Sequence, residues 1–209
     1  MNALSAGSFD SAKSILKTLR QIEPKLSTAT ANFALQFEQA GYSQQAEFLY
    51  RFTLECEPRA VPVLVNFGDF LEALGNFSEA EECFSQAARF SPNDPYVLNY
   101  LAVLYQKQQR YEEAKSVFEK ILSIDSTYIP AYDNLARVLI NLGDVTRAEA
   151  TLRRGLQLDP NDSLMNNNLG VIHDNRNEIA EARLHYERAL QSDPNNQEAR
   201  VNLLKLPRP

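Results

Sequence analysis

Asparagines recur at one spacing through most of this 209-residue chain. One column, at 34-residue steps, holds asparagine in five of six places, with Tyr100 in the sixth: Asn32, Asn66, Asn134, Asn168, Asn202. An Asn side chain offers both a donor and an acceptor, so it can pair with the N–H and C=O of one peptide unit. Such a column could hold the backbone of an extended polypeptide, or each Asn could simply form local hydrogen bonds.

Residue types suited to catalysis or metal binding are few. The two histidines, His173 and His185, have no metal-binding spacing, and no glycine-rich phosphate loop occurs. Cys56 and Cys83 lie 27 residues apart, unlike a metal-type or redox-type pair. The sequence therefore predicts a non-catalytic protein that needs no cofactor or metal and works in the reducing cytoplasm.

The elements that carry the asparagine column also repeat every 34 residues. FSEAEECFSQAARFSP (77–92) aligns with YEEAKSVFEKILSIDS (111–126) at this step. An alanine column runs without a gap: Ala12, Ala46, Ala80, Ala114, Ala148, Ala182. A large residue follows each alanine four positions later, and the segment before it has its own small-residue column: Ala34, Gly68, Ala102, Ala136, Gly170. Spacing of i, i+3, i+4 and i+7 predicts amphipathic helices, which the small residues allow to pack closely.

The turn residues between the predicted helices follow a regular pattern as well. Glycine stands between the two helices of a pair at Gly7, Gly41, Gly75 and Gly143, with Gln109 and Asn177 in the same place. Gly and Asn tolerate the left-handed conformation that ends a helix before a sharp turn. Proline closes most units, so each unit reads as helix, tight turn, helix and a short proline-marked turn.

This pattern resembles the tetratricopeptide repeat (TPR) family. The 34-residue period, the Leu-Gly/Ala pair in the first helix, Ala-x-x-x-Phe/Tyr/Leu in the second and the closing Pro are that family's signature. The resemblance implies an all-α, right-handed superhelical solenoid of antiparallel helix pairs, with about twelve helices. Five full repeats are expected at 27–60, 61–94, 95–128, 129–162 and 163–196, after a half-repeat at 1–26 and before a capping helix at 197–209.

The resemblance also implies that the first helices of the pairs line a concave groove. Facing the groove we expect the asparagine column and its neighbours on the same helix faces. The candidate partner-binding residues are Asn32, Asn66, Asp69, Tyr96, Asn99, Tyr100, Asn134, Arg137, Asn167 and Asn168. The tyrosines suit binding hot spots, although Tyr96 could instead cap its helix and pack on its neighbours. Asn166 falls in a large-residue column and is interpreted as a packing defect.

Charge limits the partners. The net charge of −6 disfavours nucleic acid and anionic membrane surfaces, and no apolar run is long enough to span a membrane. The start of the chain lacks a signal-peptide pattern. The groove is acidic near Asp69, so a bound peptide should place its basic part there. The Lys and Arg residues with which TPR co-chaperones bind a C-terminal carboxylate are missing.

Two functions stay open. The chain is either a scaffold that binds a partner peptide or helix in its groove, or the substrate-recruiting TPR portion of a longer enzyme such as an O-GlcNAc-type glycosyltransferase. The apolar helix at 8–22, with Ile15 and Leu19, further predicts self-association through the N-terminal end.

Overall fold

The computed structural model describes residues 26–207, and it describes residues 26–28 by their backbone only. Those residues form eleven α-helices and no strand, which confirms the all-α class and comes close to the twelve helices expected. None of these described helices is both long and apolar enough to cross a bilayer. The helices are α1 (Leu26–Gln39), α2 (Ser43–Cys56), α3 (Val61–Ala73), α4 (Phe77–Phe90), α5 (Pro95–Lys107), α6 (Tyr111–Ile124), α7 (Ile129–Asn141), α8 (Val145–Leu158), α9 (Ser163–Asn175), α10 (Ile179–Ser192) and α11 (Gln197–Lys205).

The described residues divide into two compact units, an N-terminal unit (residues 26–91) and a C-terminal unit (residues 92–207). In the N-terminal unit α1 pairs with α2, and α3 pairs with α4. In the C-terminal unit α5 pairs with α6, α7 with α8 and α9 with α10, and α11 packs on α10. We call α1, α3, α5, α7, α9 and α11 the first helices and the others the second helices. The half-repeat expected before α1 lies outside the described residues except for Leu26, so self-association through its helix stays a prediction.

All five helix pairs are joined by the same tight turn. Its central residue has a positive φ, near 80° at the three glycines and 62° and 61° at Gln109 and Asn177. The next residue donates its N–H to the carbonyl five residues earlier, as Tyr42 does to Phe37 at 2.8 Å and Glu178 to His173 at 2.9 Å. This Schellman closure confirms the turn expected from the glycine column.

The small-residue column lets the two helices of a pair approach closely. A Cβ atom added to Gly68 on α3 would lie 2.6 Å from the ring of Phe84 on α4. At Gly170 on α9 an added Cβ would lie 2.5 Å from the ring of Tyr186 on α10. Both rings are fully buried, so the large residue of the second helix fills the space that the glycine leaves.

Candidate functional site

In the N-terminal unit the asparagine column faces solvent. Asn32 on α1 and Asn66 on α3 are exposed, and Asp69 is exposed one turn after Asn66. Glu38, at the end of α1, accepts a 2.7 Å hydrogen bond from the hydroxyl of Tyr50 on α2. Burial of the ring and the Glu38 carboxylate raise the pKa of Tyr50 above its usual range, so the phenol keeps its proton and the bond. We call the face of the first helices that bears the asparagine column the ladder face.

In the C-terminal unit the ladder face has hydrogen bonds between successive first helices. The amide of Asn168 on α9 donates to the carboxylate of Asp133 on α7 at 2.6 Å. Asp133 is 9% exposed, and its burial raises the pKa of the carboxyl group. The charge of Arg137 and the hydrogen bond from Asn168 act against this increase in pKa. Asn168 therefore gives its donor to an internal acid, whose burial would otherwise be costly.

A second bond of this kind joins α9 and α11. The amide of Asn202 donates to the Oδ1 atom of Asn167 at 3.2 Å. Asn167 is 2% exposed, and its own amide donates to Glu198 at 3.5 Å. Beside this pair lies a cavity of about 380 Å³ between the two helices, and Asn167, Val171, Val201 and Asn202 contribute to its lining.

The space between α5 and α7 differs from the space between α7 and α9 and from the space between α9 and α11. The Oδ1 atom of Asn99 is buried and accepts no hydrogen bond from any described residue. Asn134, in the ladder column of α7, is half-buried, and its amide has no partner among residues 26–207. Arg137 is exposed one turn further along α7. A cavity of about 230 Å³ opens here, lined by Val103, Gln106, Lys107, Tyr111, Asn134, Arg137 and Asn141.

Two tyrosines, the exposed Tyr96 and the half-buried Tyr100, form an aromatic pair in the first half of α5. The rings of Tyr96 and Tyr100 meet edge to face at 5.1 Å, and their hydroxyl oxygens are 2.9 Å apart. The carboxylate of Asp94, and not Tyr96, caps the helix by accepting from the Tyr96 N–H at 2.9 Å. Tyr96 remains 56% exposed although it packs on Tyr100, which leaves aromatic area for a partner.

The interpretation of Asn166 as a packing defect is wrong. Its side chain is 1% exposed, and its amide donates to the carbonyls of Asp162 at 2.8 Å and Pro160 at 3.2 Å. Its Oδ1 atom lies 3.1 Å from Nδ1 of His185 on α10. Every polar atom of this amide is therefore used inside the fold, so Asn166, the first of three consecutive asparagines, is a core hydrogen-bonding residue.

The two histidines, which the sequence did not place together, are neighbours in the core. The rings of His173 and His185 are stacked with centroids 5.4 Å apart, and Nδ1 of His173 lies 2.6 Å from the Glu178 carboxylate. Burial and the neighbouring His173 lower the pKa of His185 to about 4, so this ring is neutral at physiological pH. Among residues 26–207, no cluster of three or more His, Cys, Asp or Glu side chains could hold a metal ion.

Comparison with known proteins gives one family throughout. Family profiles described as tetratricopeptide repeat match residues 61–94, 83–116, 105–167 and 165–196. A probable UDP-N-acetylglucosamine–peptide N-acetylglucosaminyltransferase, SPINDLY from Arabidopsis thaliana, is 32% identical over 94 residues, which are 45% of this chain and 10% of that protein. The chain thus spans about a tenth of the length of the curated relatives that it matches.

Solved structures share the fold at low sequence identity. PilF of Pseudomonas aeruginosa superposes with a TM-score of 0.73 at 21% identity, over 84% of this chain and 80% of that one. YrrB, a TPR protein with an unusual peptide-binding site, superposes with a TM-score of 0.68 at 17% identity, over 89% and 96%. The repeated helix pairs, their common turn and the four profile matches lead to the same conclusion: the chain belongs to the tetratricopeptide repeat family.

Proposed function

We propose that the chain is a non-catalytic protein–protein interaction scaffold that binds a partner polypeptide on its ladder face, in the cytoplasm. The observation that carries this proposal is the recurrence of amide side chains on that face. Asn32 and Asn66 are exposed in the N-terminal unit, and Asn134 has no internal partner in the C-terminal unit. Each can donate to a peptide carbonyl and accept from a peptide N–H, which suits an extended chain.

The remaining candidate residues have supporting roles in this proposal. Tyr96 and Tyr100 supply rigid aromatic area, which is buried at low entropic cost. Asp69 in the N-terminal unit attracts basic side chains of a partner, and Arg137 in the C-terminal unit attracts acidic ones, which affects on-rate more than affinity. Asn167 and Asn168 keep α9 in place beside its neighbouring first helices through their internal hydrogen bonds, and Asn99 offers an acceptor.

A second candidate function is suggested by the curated relatives. Their names describe N-acetylglucosaminyltransferases that act on peptides, and this chain matches about a tenth of their length. In that case the ladder face would recruit substrate for an enzyme attached to the repeats. An antibody raised against residues 26–207 separates the two functions, because a scaffold would be detected near 23.6 kDa and a larger enzyme far above that mass.

Affinity purification with mass spectrometry tests the scaffold proposal. The full chain is compared with a ladder variant, Asn66→Ala with Asn134→Ala, and with an outer variant, Lys120→Ala with Glu187→Ala. The outer variant alters two exposed residues of second helices, α6 and α10. We expect the ladder variant to lose the specific partners at unchanged helicity and the outer variant to retain them. Equal recovery by the ladder variant and the full chain would refute the proposal.

A further inference from the structure

The polar contacts across the ladder face of the C-terminal unit follow one register. Each joins the residue just before the ladder column on one first helix to the ladder residue of the next, 35 residues later. Three pairs of residues stand in this register in this unit: Asn99 with Asn134, Asp133 with Asn168, and Asn167 with Asn202. We call each pair a rung, and a rung is closed when its two side chains are hydrogen-bonded to each other.

Two of the three rungs are closed. The rung between α7 and α9 is closed at 2.6 Å, and the rung between α9 and α11 at 3.2 Å. Their side chains are already satisfied, since Asp133 and Asn167 are buried and each accepts from the next helix. A peptide that bound these side chains would have to break an existing hydrogen bond for each one it made.

The rung between α5 and α7 is open. The acceptor atom of Asn99 is buried without a donor, and the Asn134 amide has no internal partner in the described part of the chain. A buried acceptor without a partner is uncommon in native proteins, and a ligand that supplies a donor relieves it. A peptide unit carries both groups that this rung lacks, an N–H donor for the Asn99 acceptor and a C=O acceptor for the Asn134 amide.

One exposed positive charge, Arg137, adjoins the open rung. Arg137 lines the adjoining cavity, and no acidic residue is among that cavity's lining residues. Asp133, one turn earlier on the same helix, is buried, accepts the hydrogen bond from Asn168 and also attracts Arg137. The guanidinium of Arg137 is exposed and can take a carboxylate in a two-pronged hydrogen bond. The tyrosine pair stands at the start of α5, on the same helix as Asn99.

We infer that the open rung between α5 and α7 is the main peptide-binding position of the C-terminal unit, and that its ligand is an extended segment with an acidic side chain. The peptide backbone closes the rung between Asn99 and Asn134, and the acidic side chain meets Arg137. The closed rungs then stabilise the unit and contribute little to binding. This inference rests on the proposed function and assigns it to one rung of the ladder face.

Selection from a displayed library of random dodecapeptides provides the probe. The full chain is used as bait, and a selected peptide is labelled with fluorescein for anisotropy titrations. Asn134→Ala alters the open rung and Asn202→Ala a closed one, and both positions are half-buried in the ladder column. Arg137→Gln removes the positive charge at this position. Arg137→Lys keeps the charge but lacks the planar guanidinium group that can donate two parallel hydrogen bonds.

We expect the selected peptides to be enriched in Asp and Glu. Asn134→Ala should weaken their binding about tenfold, while Asn202→Ala changes it less than about twofold. Arg137→Gln should weaken binding about fivefold and reduce its salt dependence, with partial recovery in Arg137→Lys.

Two results would overturn the inference in different ways. Equal losses in Asn134→Ala and Asn202→Ala, or selected peptides without acidic residues, would reject the open rung or its acidic ligand and leave the proposed function standing. Selected peptides that bind every ladder variant as tightly as the full chain would reject the proposed function as well.

Discussion

The same asparagine column has a different environment in each of the two units. In the N-terminal unit Asn66 follows Ala31 at the 35-residue step, so no polar side chain stands in the register that forms a rung. In the C-terminal unit the corresponding residues before the column are polar: Asn99, Asp133 and Asn167. Asp133 and Asn167 accept hydrogen bonds from the ladder residues Asn168 and Asn202. In contrast, Asn32 and Asn66 are exposed.

This difference shows that a repeated residue can serve stability in one repeat and binding in another. An amide bound to a buried carboxylate contributes to folding, because its loss leaves that carboxylate without a donor. An exposed amide on a helix surface contributes little to folding and remains available to a ligand. The asparagine column alone does not distinguish the two roles. The residue 35 positions before each ladder residue does, because only a polar side chain there can form a hydrogen bond with the ladder residue.

The largest expected effect is on stability in the C-terminal unit. Asn168→Ala removes the donor to Asp133 and should lower the free energy of unfolding by about 1–3 kcal/mol. Asn66→Ala, its counterpart in the N-terminal unit, should change that free energy by less than about 0.5 kcal/mol. Urea unfolding followed by circular dichroism measures both. The double variant Asp133→Ala with Asn168→Ala should recover part of the stability lost in Asn168→Ala. Equal losses in Asn168→Ala and Asn66→Ala would contradict the difference between the two units.

The next effect concerns pH and again separates the units, because both histidines of the chain lie in the C-terminal unit. His185 has a pKa lowered from 6.5 to about 4 by burial and by His173. Between these values the unfolded chain binds the proton and the folded chain does not, so stability is lost as pH falls from 6.5 towards 4. Allowing for partial hydration of the ring, we expect a loss of about 1–2 kcal/mol.

Hydrogen exchange at pH 7 and pH 5 locates this effect. Protection of α9 and α10 should fall at the lower pH more than protection of α3 and α4. His185→Asn should remove most of that difference, which separates the histidine from Asp133, whose raised pKa acts in the opposite direction. A pH response that is the same in both units, or that persists in His185→Asn, would refute the assignment to His185.

The smallest expected effect is on association rates at the N-terminal unit. Asp69→Lys with Glu72→Lys reverses the charge on the ladder face of α3 and should slow binding of a basic partner peptide about threefold at low salt. The difference should vanish at high salt, because these charges are screened there. Stopped-flow mixing at two ionic strengths measures it, with Lys120→Glu on α6 as the control. Association rates that depend on neither the salt concentration nor these substitutions would exclude electrostatic steering by this face.

Periodicity in the sequence was sufficient for the fold and for the turns. The alanine, glycine and aromatic columns predict the helix pairs, and the contacts at Gly68 and Gly170 show the close helix approach expected from the small-residue column, with the large residues Phe84 and Tyr186 as the partners. These features are local or repeat at one fixed step, so a single chain displays them directly. Gln109 shows the limit of that argument, since it takes the left-handed turn with only its position in the repeat to predict it.

The candidate site was less accessible to the sequence because its state depends on pairs between helices. Asn166, Asn167 and Asn168 are consecutive and identical in type, yet one bonds within the core, one bonds to α11 and one bonds to α7. The 35-residue register that closes the rungs is offset by one from the 34-residue repeat. The contact of Asn166 with His185 spans 19 residues and has no counterpart in the pattern.

The most direct measurement is the side-chain amide spectrum of the asparagines while a selected peptide is titrated. With a ¹⁵N-labelled chain, each NH₂ group of the column gives its own pair of signals, which the Asn→Ala variants assign. We expect the Asn134 signals to shift most and the signals of Asn202, which is held in a closed rung, to stay in place. Shifts confined to residues of the second helices, with every asparagine of the column unmoved at saturation, would contradict it.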